Sequence, residues 1–201
     1  MLDLLLTRPD VFLFWAAGLV IAVTIHEFSH AFVADRLGDP TPKALGRVTL
    51  NPLAHLDPVG TIALLIAHIG WGKPVPFDPY NLENPRRDTV LISLAGPLSN
   101  FILAILLSIL YKIMPDLAFI CLPMVILNVG LGVFNLIPIP PLDGSKILAN
   151  LLSYDKAAQY EELTNRYGIF LLLLFLFPIA GQSLASIFIS PLITLILNLL
   201  I

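Results

Sequence analysis

The sequence has few charged residues and a single cysteine. Asp, Glu, Lys and Arg make up 12% of its 201 residues, whereas hydrophobic residues make up 57%. Soluble domains carry about 25% charged residues, so this composition excludes an ordinary soluble protein and indicates a membrane protein. Cys121 has no second cysteine with which to form an internal disulfide, and its apolar surroundings predict a packing role. The net charge of −3 gives no basis for nucleic-acid binding.

Apolar runs are what the sequence has in abundance. A helix needs about 20 mostly apolar residues to cross a bilayer. Four runs reach or approach this length, at residues 11–33, 89–113, 117–137 and 183–201. Two shorter runs, residues 59–71 and 169–180, better fit a re-entrant or tilted element. We therefore expect an all-α polytopic membrane protein, a bundle of about four to six transmembrane helices with one re-entrant segment.

Polar linkers separate the apolar runs. Residues 35–58 and 72–88 are rich in Pro, Gly, Asn and Asp, as turns are, and residues 46–50 favour a short strand. Residues 139–167 combine a Pro-rich corner with a short polar helix predicted at residues 153–165. The linkers are too short to hold an additional soluble domain.

The predicted organisation is one transmembrane domain over residues 1–201. Its core spans residues 11–150, and a C-terminal helical segment or hairpin follows at residues 167–201. The first apolar run leads directly into His and Glu residues with no small-residue cleavage site before them. We therefore expect this run to be retained in the mature protein.

The placement of basic residues orients the chain. If residues 59–71 do not cross the bilayer, the three polar linkers share one face and hold nine of the eleven Lys and Arg residues. If residues 59–71 do cross, the division is 7 to 4. The positive-inside rule favours the first arrangement, with the basic linkers in the cytoplasm of a multi-pass cell-membrane protein.

The sharpest chemical pattern is His26-Glu27-Phe28-Ser29-His30, at the inner end of the first apolar run. Histidines four residues apart lie on one helix face and can bind one metal ion, while Glu27 is placed to act as a general base. Ionisable residues within a membrane span are costly and are functional by default. A buried polar network without a metal is the alternative interpretation.

A catalytic zinc site uses three protein ligands and leaves one position open. The candidates for the third ligand are Asp143, His55, Asp57 and His68. A re-entrant 59–71 segment brings Asp143 to the same membrane depth as His26 and His30, whereas a crossing segment places it on the opposite side. Asp143 as a solvated turn residue before Gly144 is the competing interpretation.

At these residues the chain resembles the site-2 protease family of intramembrane zinc metalloproteases, peptidase family M50. That family joins an HExxH helix to a distant NxxPxxPxDG-type motif, which here is Asn135-Leu-Ile-Pro-Ile-Pro-Pro-Leu-Asp143-Gly144. The resemblance covers about residues 15–150 and matches a compact form without PDZ or CBS domains. It implies that His26, His30 and Asp143 bind one Zn²⁺ ion, that Glu27 is the catalytic base, and that Asn135 binds substrate.

The implied function is hydrolysis of peptide bonds in or near the transmembrane helices of substrate proteins, as in regulated intramembrane proteolysis, with the active site toward the cytoplasmic side. The expected partners are such substrates and the lipid bilayer. Two rivals are a metal transporter, which would move ions without proteolysis, and a non-catalytic relative that binds substrate helices as a scaffold. The oligomeric state and the identity of the substrate do not follow from the sequence.

Overall fold

The computed structural model describes residues 6–60, 72–178 and 181–201. These residues are predominantly helical, and no strand is found among them, which confirms the predicted all-α class. The chain divides into two compact units, Met1–Glu83 and Asn84–Ile201. The predicted re-entrant segment lies outside the described residues from residue 61 onward, as does His68.

The first unit is built on one long helix, α1 (Pro9–Arg36). Pro9 occupies its first turn, where a missing N–H has no consequence. The helix ends at Arg36, and Gly38, two residues later, has a positive φ of 108° that suits glycine. The buried face carries small residues and the two histidines, at Gly18, Ala22, His26, His30 and Ala34. This four-residue spacing places the histidines on the same face of the helix.

A buried carboxylate organises the linker after α1. Asp39 accepts hydrogen bonds from the Thr41 amide and hydroxyl, at 3.1 and 2.6 Å. It also accepts bonds from the Asp78 amide at 2.7 Å and from Asn81 Nδ2 at 2.8 Å. Burial acts to raise the pKa of Asp39, but these bonds together outweigh it and hold the pKa below its ordinary value. Asp39 thus links residues 39–41 to residues 78–81.

The short strand predicted at residues 46–50 is not formed; this segment consists of turn and bend residues. Its polar groups are used in other ways. The Thr49 carbonyl bonds to His55 Nε2 at 2.8 Å, and the Arg47 side chain donates to the Lys73 carbonyl. Isolated strands need a partner to pair their backbone groups. In the first unit the one described antiparallel bridge joins Leu56 to Gly72 instead.

The second unit begins with two long apolar helices, α2 (Pro85–Ile113) and α3 (Ala118–Asn135). Helix α2 starts four residues before the predicted span because Pro85 stands at its first position and Asp88 accepts a bond from the Asn84 amide. Helix α3 ends two residues before its predicted limit, where the Pro-rich corner follows.

Helices α2 and α3 share a core of small aliphatic side chains and one polar pair. Ala104, Val125, Val129 and Val133 are buried together. Asn100 Nδ2 donates to Asn128 Oδ1 at 3.0 Å, and both residues are almost completely buried. Hydrogen bonds between buried amides of neighbouring helices are typical of membrane proteins. The neighbouring Ser99 hydroxyl bonds instead to the Gly96 carbonyl of its own helix.

Three further helices complete the unit: α4 (Asp143–Leu151), α5 (Tyr154–Leu176) and α6 (Leu184–Leu200). The sequence pattern did not predict α4. The polar helix predicted at 153–165 and the apolar run at 169–180 are largely one helix, α5, because no glycine or proline between them breaks the pattern except Gly168. Gly168 is buried and packs against Pro140.

Three of the described segments are long and apolar enough to cross a membrane: Pro9–Arg36, Pro85–Ile113 and Pro115–Asn135. They correspond to the first three predicted spans. The fourth corresponds to α6, which is apolar but has 17 residues. The chain is therefore a multi-pass membrane protein.

Candidate metal centre

The histidine pair is formed entirely by helix α1. Residues four apart in a helix lie one above the other, and here the two Nε2 atoms of His26 and His30 are 3.1 Å apart. The ring centroids are 4.7 Å apart, with the rings nearly perpendicular. Both side chains are buried, with relative exposures of 5% and 7%. Two imidazole nitrogens therefore converge on one point beside the helix.

This separation suits a shared metal ion. Zinc–nitrogen bonds of about 2.0–2.1 Å to two atoms this far apart would enclose an angle of about 100°, close to tetrahedral. A direct hydrogen bond between the rings is the alternative use of the same geometry. Ring nitrogens from His and an oxygen from a carboxylate are the donor set of catalytic zinc.

Asp143 is the first residue of α4. The corner before it turns through short hydrogen bonds, Ile139 amide to Ile137 carbonyl at 2.8 Å and Leu142 amide to Ile139 carbonyl at 3.0 Å. Asp143 is 7% exposed, and the Lys146 ammonium lies 4.0 Å from its Oδ1. The bland interpretation of Asp143 as a solvated turn residue is wrong, because the side chain is buried.

Gly144 explains why a glycine follows Asp143. A Cβ at this position would overlap the backbone carbonyls of Leu136 and Ile137. The first turn of α4 therefore lies directly against the end of α3, and only a residue without a side chain permits that approach. The last two residues of the NxxPxxPxDG-type motif thus have separate roles. Asp143 supplies a carboxylate, and Gly144 permits the close contact with the end of α3.

We expect Gly144→Ala to lower stability by about 1–3 kcal/mol or more, because the methyl group meets backbone atoms that cannot move aside. Thermal unfolding in detergent and zinc content measure the effect, and both should fall. Gly130→Ala is the matched control, since nothing lies within 4 Å of its added Cβ and alanine is favoured over glycine in a helix. Equal stability of the two variants would contradict the close contact.

One group of three metal-ligating side chains is found among the described residues. It consists of His26, His30 and Asp143, all buried, with ligand atoms within 4.8 Å of one another. Two of the rival candidates, His55 and Asp57, are engaged elsewhere. His55 Nε2 bonds to the Thr49 carbonyl, and Asp57 Oδ1 accepts the Gly60 amide at 2.7 Å. Two nitrogens and one oxygen from protein fit a zinc ion that keeps a fourth position for water or substrate.

Glu27 lies beside the histidine pair, half-buried, on the adjacent position of α1. The backbone at Gly72 passes close to it, and a Cβ on Gly72 would lie 3.5 Å from Glu27 Oε1. The Arg47 guanidinium is also near enough to interact electrostatically with the Glu27 carboxylate. Neither Gly72 nor Arg47 was singled out by the sequence, because each sits in a turn-rich linker without a recognisable motif.

Asn135 is the last residue of α3 and is half-buried. Its Nδ2 donates to the Leu131 carbonyl one turn earlier at 3.0 Å. A carboxamide carries two N–H donors and one acceptor oxygen. One N–H and the carbonyl oxygen of Asn135 therefore remain outside this bond.

A known protein family matches the part of the chain that contains these site residues. A family model described as Peptidase family M50 matches residues 14–120 and 116–175, which is most of the chain. The match includes the His26–His30 segment in its first part and the Asp143–Gly144 pair in its second. No solved structure matches the chain.

Several curated proteins are similar over most of the chain. YwhC of Bacillus subtilis is 38% identical over 83% of the chain and 81% of its own length. Rip2 of Mycobacterium tuberculosis H37Rv is 34% identical over 86% of the chain and 70% of its own length. Both are named as candidate zinc metalloproteases. Zinc metalloprotease MJ0392 of Methanocaldococcus jannaschii is 28% identical over 89% of the chain, which covers 47% of that longer protein.

Proposed function

Because the chain belongs to peptidase family M50 and is a zinc metalloprotease with membrane-spanning helices, we propose that it cleaves other membrane proteins in or near their transmembrane helices. The observation that carries the proposal is the buried group of His26, His30 and Asp143 in a chain of apolar helices. Placing a charged side chain in a span costs about 2.5–3.5 kcal/mol even by the lowest estimates, so such a group is kept for function.

We assign one zinc ion to His26, His30 and Asp143. When bound, zinc acts as a Lewis acid that polarises a carbonyl and lowers the pKa of a water ligand to about 7. A neutral imidazole is the metal-binding form of histidine. The Asp143 carboxylate adds one negative charge, which offsets part of the charge of a divalent ion in an apolar setting.

Glu27 is assigned the proton transfers. Its carboxylate accepts a proton from the attacking water and passes that proton to the nitrogen of the leaving amine as the peptide bond breaks. A positioned acid–base group of this kind contributes about 10²–10⁴-fold to the rate. The adjacent position of Glu27 to His26 in the helix keeps it near the ion without making it a ligand.

Asn135 is assigned to substrate binding. The N–H that is not used by Leu131 can donate to the substrate backbone or to the oxyanion that develops at the scissile carbonyl. A substrate helix bonds its own carbonyls internally, so it must unwind locally before one carbonyl becomes available. A donor from Asn135 would compensate for part of the bonding lost on unwinding.

The proposed location is the cell membrane, with the metal site toward the cytoplasm. This orientation rests on the concentration of Lys and Arg in residues 35–58, 72–88 and 139–167. The proposed partners are proteins with transmembrane helices, together with the lipid bilayer, and no nucleic acid. As in regulated intramembrane proteolysis, the products would be released from the membrane.

The proposal is tested by reconstituting the purified protein with a model transmembrane substrate. We expect cleavage within the substrate span, loss of cleavage with a zinc chelator, and recovery when zinc is restored. Liposomes loaded with a zinc-sensitive dye test the transporter alternative in the same preparation. Zinc flux without cleavage would favour the transporter, and binding of substrate without either would favour the scaffold.

A further inference from the structure

Three parts of the first unit meet beside the Glu27 side chain: helix α1, the linker that follows it, and the segment that begins at Gly72. A Cβ placed on Gly72 would lie 3.1 Å from Val23 Cγ1, 3.2 Å from the His55 carbonyl oxygen and 3.5 Å from Glu27 Oε1. Contacts at 3.0–3.4 Å are tighter than ordinary side-chain contacts. The Gly72 backbone therefore passes α1 at close range, at the level of the proposed base.

Backbone bonds hold Gly72 and Lys73 to the linker. The Lys73 amide donates to the His55 carbonyl at 2.8 Å, and Leu56 and Gly72 form an antiparallel bridge. His55 is in turn fixed by the bond from its ring to the Thr49 carbonyl at 2.8 Å. One side-chain bond is added at the carbonyl of the same residue, from the Arg47 guanidinium to the Lys73 carbonyl.

Burying the charged Arg47 side chain to make this single hydrogen bond is energetically costly. The side chain is 4% exposed, and its Nε has no hydrogen-bond partner within the described part of the chain. Burial lowers the pKa of Arg47 below its ordinary value, while attraction to the Glu27 carboxylate opposes that shift. A buried cation with few partners is seldom kept for stability, because an apolar side chain of similar volume often serves as well or better.

We propose that Arg47 is a positioning residue, which holds the Gly72–Lys73 backbone against helix α1 beside Glu27 and so fixes the path of the chain past the base. The effect on catalysis rests on the proposed function, in which Glu27 is the base. The geometry rests on the contacts of Arg47, His55 and Gly72. Arg47 acts through the backbone at 72–73 and does not itself take part in proton transfer.

The central test is Arg47→Met, which removes the donor and the charge but keeps an unbranched side chain. We expect faster hydrogen exchange at the Lys73 amide, because its bond to His55 loses the neighbouring support. With the model substrate we expect kcat to fall by about 10- to 100-fold, since a displacement of about 1 Å near the reacting groups can cost 10²-fold. KM and zinc content should stay at the parent values.

Two further variants separate positioning from general damage. Arg47→Lys keeps the charge on a shorter side chain without the planar fork, and its exchange rate and kcat should lie between those of the parent and Arg47→Met. Arg166→Met removes an exposed guanidinium that lies over the Tyr167 ring, and both readouts should match the parent. Should Arg47→Met not fold, Arg47→Lys carries the comparison.

The outcomes are distinguishable. An increase in Lys73 exchange together with a lower kcat supports the proposal. A change in only one of these quantities, or in neither, overturns it. If the parent protein does not cleave the substrate at all, the proposed function fails, while the exchange measurement still decides whether Arg47 holds the Lys73 backbone.

Discussion

Glu27→Gln should reduce cleavage of a reconstituted transmembrane substrate to the background rate while the protein keeps one zinc ion per chain. Glutamine has nearly the shape of glutamate but cannot accept a proton from water at neutral pH. The variant therefore removes the base and leaves the His26 and His30 ligands in place. We expect a loss of kcat of at least about 10²–10⁴-fold, the usual contribution of a general base.

The measurement pairs kcat with zinc content in the same preparation. Glu162→Gln is the matched control, because Glu162 is an exposed carboxylate of α5 far along the chain from the metal-binding motif. It should cleave at the parent rate. A Glu27→Gln variant that cleaves normally would remove Glu27 from the mechanism, and one that loses its zinc would show that Glu27 supports the metal as well.

The parts of the structure that could be predicted are those encoded in neighbouring residues. The pairing of His26 with His30 follows from helical periodicity alone, since any helix over these residues brings the two rings to one face. The first three spans follow from the length of their apolar runs. In both cases the information lies within about 20 residues, and packing against the rest of the chain changes only the ends.

The parts that could not be predicted depend on contacts between distant residues. The strand predicted at residues 46–50 fails because the Thr49 carbonyl and the Arg47 side chain bond to His55 and Lys73 rather than to a second strand. Helix α4 is missed because its start depends on the glycine contact with the end of α3. Neither contact can be predicted from the secondary-structure propensity of neighbouring residues.

The candidate site shows the same division. The sequence alone left four candidates for the third ligand, and topology and family resemblance favoured Asp143. Arg47 had no such support. A single arginine in a linker of Pro, Gly and Asp residues has no spacing that marks it, and its burial near Glu27 becomes visible only when residues 47, 55 and 73 are folded together. Residues that position a catalytic group through the backbone are in general harder to find than the group itself.

Asp143→Ala should sharply lower the affinity of the protein for zinc and abolish cleavage with it. The substitution removes one of three proposed ligands and one negative charge from a buried group. Loss of a residue that merely supports a ligand costs about 10–100-fold in metal affinity, so loss of the ligand itself should cost at least about 100-fold. Lys146, which is 42% exposed, loses its neighbouring carboxylate at little cost because solvent screens that pair.

Zinc affinity is measured by competition with a chelator of known strength, alongside thermal unfolding in detergent. Asp155→Ala is the matched control, since Asp155 is also an acidic residue in the first turn of its helix, α5, but is exposed. Both variants lose the same favourable interaction with a helix N-terminus, so only Asp143→Ala should lose zinc. Retention of zinc at parent affinity in a folded Asp143→Ala protein would remove Asp143 from the ligand set and leave the third position to another residue.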